Sequence, residues 1–199
     1  MFTIDHATKR DIPAREALLD EVMGEARFTK TAARLRDNRL PAEGLSFIAR
    51  AKARVIGTVQ LWHVAAGPQR PALLLGPLAV ASDRRNRGIG TALVRRAMVE
   101  SRRRGHGIVL LVGDAPYYGR FGFSSQKTRD LWLPGPHERD RLLGRELTAG
   151  TLDGARGLVH ATGPFAPKPE LSALVAKLFG LVPGPEPRRG EASFAPRAA

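Results

Sequence analysis

The chain reads as a mixed α/β (α+β) domain, and three observations predict it. Short apolar stretches of strand length interleave with longer stretches of helical period. The apolar run Leu73 to Val80 leads into a basic, glycine-punctuated loop, Arg84-Arg85-Asn86-Arg87-Gly88-Ile89-Gly90-Thr91, and then a helical pattern to Arg104. Ile108 to Val112 is continuously apolar, as expected of a central strand covered on both faces.

Taken in order, Phe2 to Ala7 alternates as a short first strand. Asp11 is placed to cap a helix with Pro13 in its first turn, running to about Met23. A second helical stretch is expected from about Lys30 to Asp37, and both helices can cover a substrate groove. Leu45 to Ala51 and Arg54 to Val64 read as strands joined by a tight Lys52-Ala53 turn, and Gly67-Pro68 breaks the chain. Ala72 to Val80 follows with Gly76-Pro77 in its middle. Proline cannot donate to a ladder, so this strand carries an edge, a bulge or a splay there. The helix from Gly88 to Arg104 buries Ile89, Leu93 and Ala97, with Val94 and Met98 beside them, and Gly105 ends it. Ala115 to Phe121 reads as a short helix, and Gly122-Phe123 as the opening of a strand. A loop around Pro134-Gly135-Pro136 precedes a final hairpin including Arg145 to Leu147 and Gly157 to His160.

Composition shifts near Gly163, so residues 1–163 are expected to form the domain and 164–199 a C-terminal extension. Within it, Leu171, Leu174, Val175, Leu178 and Phe179 fit an amphipathic helix over about 170–179. That helix docks on the domain's own core, forms a homodimer contact or lies on a membrane surface. The tail from 180, rich in Gly, Pro and Arg, is expected to be disordered.

The 199 residues suffice for one domain with a real core. The chain has no cysteine, which excludes disulfides, thiolate catalysis and thiolate metal sites. Its histidines, His6, His63, His106, His137 and His160, show no metal-ligand spacing, so no metal is expected. The N-terminus lacks a signal-peptide pattern, and no apolar run is long enough to span a bilayer. A cytoplasmic location follows as the expectation.

The net charge of +13 invites an anionic partner. Residues 83–104 concentrate it, with arginines at 84, 85, 87, 95, 96, 102, 103 and 104 against Asp83 and Glu100. The first N–H groups of a helix have no internal partner and carry the positive end of its dipole. Glycines at 88 and 90 let the backbone approach a phosphate closely. The loop is neither a Walker A loop nor a dinucleotide fingerprint, and the expected guest is a phosphorylated ligand.

Two motifs in order resemble the GNAT superfamily of acyl-CoA-dependent N-acetyltransferases. Leu78-Ala79-Val80 followed by Arg85-x-x-Gly88-x-Gly90-Thr91-x-Leu93 is similar to the acyl-CoA signature. Tyr117-Tyr118-Gly119-Arg120-Phe121-Gly122-Phe123 is similar to the element that follows the family's fifth strand. Gly113-Asp114-Ala115-Pro116-Tyr117-Tyr118 further resembles the bacterial YhbS-like subgroup. The resemblance covers roughly residues 1–160. It implies a mixed sheet of about six to seven strands, splayed between the fourth and fifth and flanked by about four helices.

The resemblance also implies acetyl-CoA as cosubstrate. Its pyrophosphate would lie on Arg84, Arg85, Asn86, Arg87, Gly88, Ile89, Gly90 and Thr91, and its pantetheine arm on the main chain of Leu78, Ala79 and Val80. The acceptor would be a primary amine on a small molecule or protein, attacking the thioester directly in a ternary complex. By alignment of motifs Tyr118 is the general acid. Many family members place a Glu on the fourth strand as base, whereas residues 72–80 contain no carboxylate. Asp114 is therefore the candidate base, with His63 second and a water chain third. Asp114 can equally cap the short helix, and His63 can be a strand-end surface residue. Because three phosphates account for the loop's charge, a nucleic-acid partner is not expected. Two other readings remain open. One is a non-catalytic acyl-CoA-sensing module, favoured by the missing carboxylate. The other is an RNA- or ribosome-associated protein, favoured by the charge.

Overall fold

A computed structural model describes residues 1–167, and Met1–Ala166 form one compact unit. The proposed helix at 170–179 and the tail lie outside the described residues. The backbone orders β1 (Thr3–His6), α1 (Ile12–Met23), α2 (Thr31–Arg34), β2 (Ser46–Ala51), β3 (Arg54–Ala66), β4 (Pro71–Val80), α3 (Ile89–Arg103), β5 (Ile108–Val112), α4 (Ala115–Gly119), β6 (Leu131–Trp132), β7 (Leu142–Glu146) and β8 (Gly157–Ala161). The eight strands make one mixed sheet, ordered β1-β2-β3-β4-β5-β7, with β8 pairing both β3 and β6.

The 13-residue β3 is the spine of the sheet. It pairs antiparallel with β2 as far as Gln60 and with β4 along most of its length. Its last residues, Val64–Ala66, take β8. The expected hairpin between 145–147 and 157–160 therefore does not form. β7 runs antiparallel to β5 along all of that strand, while β8 crosses to β3. Residues 148–156 turn between them, tied by Thr151 Oγ1 to the Gly107 carbonyl (3.0 Å) and by the Leu152 N–H to Glu146 Oε1 (2.7 Å).

Helix α3 shows how the sequence seats its layer. Ile89, Leu93, Val94, Ala97 and Met98 are buried, as the 3.6-residue period predicts. Gly57 on β3 leaves the hollow they enter, since a Cβ there would stand 2.9 Å from Ile89 Cγ2 and 3.0 Å from Leu93 Cδ1. Each such fully buried aliphatic side chain contributes roughly 1.5–3 kcal/mol through lost apolar exposure. Gly105, at φ 80°, stops the helix in the left-handed conformation that glycine adopts without strain.

Three local expectations change. Asp11 does not cap α1 with its side chain. It folds back to accept from the Thr8 N–H (2.8 Å) and Thr8 Oγ1 (2.9 Å) and pairs with Arg50. The Lys30–Asp37 helix shortens to one turn at Thr31–Arg34, and the following residues continue in turns. Gly122-Phe123 opens no strand. Gly122 sits at φ 78° in a tight turn, and only Ser124 bridges to Gly144.

Candidate active site

The cleft begins where β4 and β5 part. Their parallel pairing covers only Leu73 with Val109 and Leu74 with Leu110. Beyond that point β5 stays with β7 to Val112, and β4 runs on to Val80 with no strand on its β5 side among the described residues. Opposite Gln60 alone, Gly76 and Pro77 form a bulge, because Val59 faces Leu78 while Leu61 faces Leu75. The Trp62 indole N–H donates to the Gly76 carbonyl at 2.6 Å and pins that bulge. Past it the ladder fixes which main-chain groups face the gap. The Ala81 N–H donates to the Ile56 carbonyl, so the period of two turns Ala79 toward Thr58 on β3. The N–H and C=O of Leu78 and Val80 then point into the gap.

At the end of β4 the predicted loop leads into α3. Asn86 (φ 59°) and Gly88 (φ 76°) are both left-handed and curl the chain around the helix N-terminus. The Ala92 N–H is the first to bond within the helix, to Gly88, which leaves those of Ile89, Gly90 and Thr91 without intrahelical partners. These residues line a cavity of about 430 Å³ with Val80, Arg84, Arg85, Asn86, Tyr117 and Arg120. Arg84 Nε is buried without a hydrogen bond, 3.3 Å from the Asp83 carboxylate but misaligned with it. Arg85 is exposed and makes no ion pair among the described residues. The arrangement supplies backbone donors and cations for a polyphosphate.

Two of the sequence-chosen residues stand apart. Arg87 is exposed and does not line the cavity, and the Ala79 side chain is in the core. Two lining residues, Tyr117 and Arg120, were not among those chosen from the sequence. Arg120 stacks on Tyr117, its guanidinium carbon 4.1 Å from the ring centre, and lines the same cavity. It lay inside the second motif, but arginine is so frequent in this chain that its position carried no signal.

The two tyrosines join this cavity to a second. Tyr117 packs on the loop, its hydroxyl oxygen so near Gly90 that a Cβ there would be 2.8 Å away. Tyr118 lies flat on Gly113, where a Cβ would be 2.3 Å from its ring. It meets Tyr117 edge-on at 4.8 Å and Phe123 at 6.0 Å between ring centres. No described residue hydrogen-bonds the Tyr118 hydroxyl. Burial, with smaller contributions from Tyr117 and Asp114, pushes its pKa up to about 12. Tyr118 therefore carries its proton throughout the neutral range.

Asp114 caps α4, where its Oδ2 accepts from the Tyr117 N–H at 3.0 Å. The side chain is exposed and lines neither cavity, so its contact is with the helix that carries Tyr118. His63 sits opposite Leu73, at the closed end of the splay, with its ring 5.6 Å from His106. It too is outside both cavities.

The second cavity, about 570 Å³, is floored by Leu74–Leu78, Val112 and Tyr118. Its walls come from the end of α1, the 27–36 segment that contains α2, and the 136–141 segment, through Met23, Arg27, Arg36, His137, Glu138 and Arg141 among others. Thr31 Oγ1 bonds the Pro136 carbonyl, and Arg34 Nη1 donates to the Pro134 carbonyl at 3.0 Å, so the two walls are strapped together. None of these wall residues was singled out from sequence, because only the tertiary fold brings 27–36 against 134–141. Among the described residues no cluster of His, Asp and Glu could hold a metal, and no helix is long and apolar enough to cross a membrane.

Comparison with known proteins supplies the frame for this geometry. Residues 42–125 match the family model described as an acetyltransferase (GNAT) domain. The chain is 27% identical to the GNAT family N-acetyltransferase YhbS from Escherichia coli, solved in complex with CoA. The TM-score is 0.69 over 81% of this chain and 89% of that one. A GNAT family acetyltransferase from Brucella melitensis, solved with acetyl-CoA, shares the fold at 20% identity and TM-score 0.61, over 81% and 96% of the two chains. The ribosomal-protein-S18-alanine N-acetyltransferase from Escherichia coli shares it more distantly, at 17% identity and TM-score 0.51, over 75% and 96%. No curated protein matches significantly. With β4 and β5 splayed beside a glycine-rich helix start, and with that region inside the segment that matches the acetyltransferase (GNAT) domain model, the chain has the GNAT fold and resembles YhbS.

Proposed function

We propose that the protein transfers an acetyl group from acetyl-CoA to a primary amine by direct attack in a ternary complex. The observation that carries this reading is the pair of cavities meeting at Tyr117 and Tyr118, one built for phosphates and one opening on a half-buried phenol. The pyrophosphate takes the N–H groups of Ile89, Gly90 and Thr91, with Arg84, Arg85 and Arg120 around it. The pantetheine arm fills the gap as a surrogate strand on Leu78 and Val80. The thioester then lies at the bulge, near main-chain donors that stabilise the oxyanion formed when the amine attacks.

Tyr118 donates a hydrogen bond to the sulfur as negative charge builds there. A thiol has a pKa of about 8.5 in water, so full transfer from a phenol near 12 is uphill. Burial beside Tyr118 narrows the gap because it raises the thiol toward the already raised phenol. Asp114 acts on Tyr118 through the helix cap rather than on the amine. The amine arrives deprotonated from solvent, and its second proton leaves through the open acceptor cavity.

Two measurements test the reading together. Excess acetyl-CoA should raise the melting temperature, and incubation with an amine panel should release free CoA. An unchanged melting temperature defeats the proposal. Stabilisation without CoA release across a broad panel favours a non-catalytic acyl-CoA sensor instead.

A further inference from the structure

The match to the family model stops at residue 125, and most of the acceptor cavity's walls lie outside residues 42–125. What the acceptor looks like has to come from those walls. Arg27, Lys30, Arg34, Arg36 and Arg141 line the cavity, and Glu138 is the one carboxylate among the lining residues.

Most of these cations are already engaged. Arg27 binds Asp20 through Nε and Glu16 through Nη2, each at 2.8 Å. Arg34 is tied to the Pro134 carbonyl, and Arg141 lies 3.7 Å from Glu138. Arg36 differs. Only its Nε is bonded, at 3.3 Å to the Ala32 carbonyl, and no carboxylate contacts it among the described residues. It lines both this cavity and a neighbouring one of about 380 Å³ that contains Gln60, Trp62 and Pro77 and also the carboxylates Glu16, which Arg15 and Arg27 already pair, and Asp37. Its guanidinium therefore stands at the junction beside the bulge, half-buried, with its terminal donors free. Burial is the first cause lowering its pKa, to about 10, the nearby Arg27 charge adds to it, and Glu16, which makes no ion pair with it, opposes them in part. A buried cation without a partner is unfavourable, and an anionic ligand removes that penalty.

Building on the acetyltransferase reading, we propose that the acceptor is a small amine that also carries a carboxylate or phosphate group. That group docks on the Arg36 fork while the amine reaches toward the thioester beside Tyr118. The strap between α2 and the 134–136 segment encloses the cavity on one side, and its volume is that of a small-molecule site, which favours a free metabolite over a folded protein. A planar fork suits either oxyanion bidentately.

The test is calorimetry on protein saturated with CoA, so that the phosphate loop is filled and cannot bind the probes. The probes are two matched pairs, glycine with glycinamide and phosphoethanolamine with ethanolamine. At least one anionic member should bind about tenfold or more tighter than its neutral partner. Whichever pair shows the preference identifies carboxylate or phosphate. Arg36→Gln should erase the preference while leaving CoA affinity and the melting temperature near wild type. Arg36→Lys, which keeps the charge without the fork, should restore part of it. Equal binding within both pairs, no binding of any probe, or a preference that survives in a folded Arg36→Gln protein overturns the proposal. If CoA itself fails to bind, the acetyltransferase reading falls first. The probes are then titrated onto the CoA-free Gly88→Glu protein and judged by the same criteria.

Discussion

Removing the Tyr118 hydroxyl is the sharpest test of the catalytic reading, because the structure separates its chemistry from its packing. The ring is held by Gly113, Tyr117 and Phe123, and phenylalanine keeps every one of those contacts. No described residue bonds the hydroxyl, so Tyr118→Phe strands no partner and should change stability by less than about 1 kcal/mol. What it removes is the donor to the departing sulfur. A positioned acid is worth roughly 10²-fold or more, and 10²-fold corresponds to about 2.7 kcal/mol of barrier. In a steady-state assay of CoA release, kcat should fall by about that factor while the KM for acetyl-CoA and the melting temperature stay near wild type. The pH profile of the parent should follow deprotonation of the amine with no alkaline limb from Tyr118 below about pH 10, since its proton is held to about 12. A folded, acetyl-CoA-binding Tyr118→Phe enzyme with kcat within threefold of wild type would refute the assignment.

Gly88→Glu forces a side chain into the left-handed conformation at φ 76°, at roughly 1–2 kcal/mol, and sets a carboxylate among the phosphate donors. Thermal stabilisation by acetyl-CoA should vanish. Asp114→Ala should lose about 1 kcal/mol of cap and lower kcat by displacing Tyr118, whereas Asp114→Asn, which still caps, should keep most of the activity. If Asn is as inactive as Ala, the carboxylate is the base after all. Asp11 is held below the ordinary carboxylate range, first by the Thr8 N–H and further by Arg50, with burial opposing. Its folded pKa is depressed, so its contribution is full above the unfolded value of 3.8 and fades as pH falls below it. Acid titration of the melting temperature should show that loss, and Asp11→Asn should remove it.

The parts legible in the sequence are those whose causes are local. Loop 84–91 and helix α3 follow from glycine placement and a 3.6-residue period, and both stand where the pattern puts them. The Gly76-Pro77 interruption also announced itself, because proline's missing donor has a fixed consequence for a ladder. The parts that escaped depend on which distant segments meet. Nothing in Gly157 to Ala161 says that it will pair with the last residues of β3 rather than with β7, since alternation fixes a face but not a neighbour. The helix expected over 30–37 is legible as a cover for the groove, but not its shortening to one turn at 31–34 or its meeting with 134–138 across the acceptor cavity. Arg36 and Arg120 are invisible for a compositional reason: in an arginine-rich chain, only burial and stacking separate a working arginine from a solvated one.

The short β4–β5 pairing has a consequence for the protein without its cosubstrate. Two residue pairs close the seam at one end, and beyond them the outward main-chain groups of Leu78 and Val80 meet no strand among the described residues. An unpaired edge is a template for any extended chain, and here it lies inside the sheet rather than at its margin. A ligand that completes it contributes stability as RT ln(1 + [L]/Kd). The amides of Leu78 and Val80 should therefore exchange with solvent faster than their neighbours on β3 and slow on ligation. On the proposed reading the domain is a sheet with one strand delivered from outside, and its resistance to unfolding and self-association should track the supply of that strand.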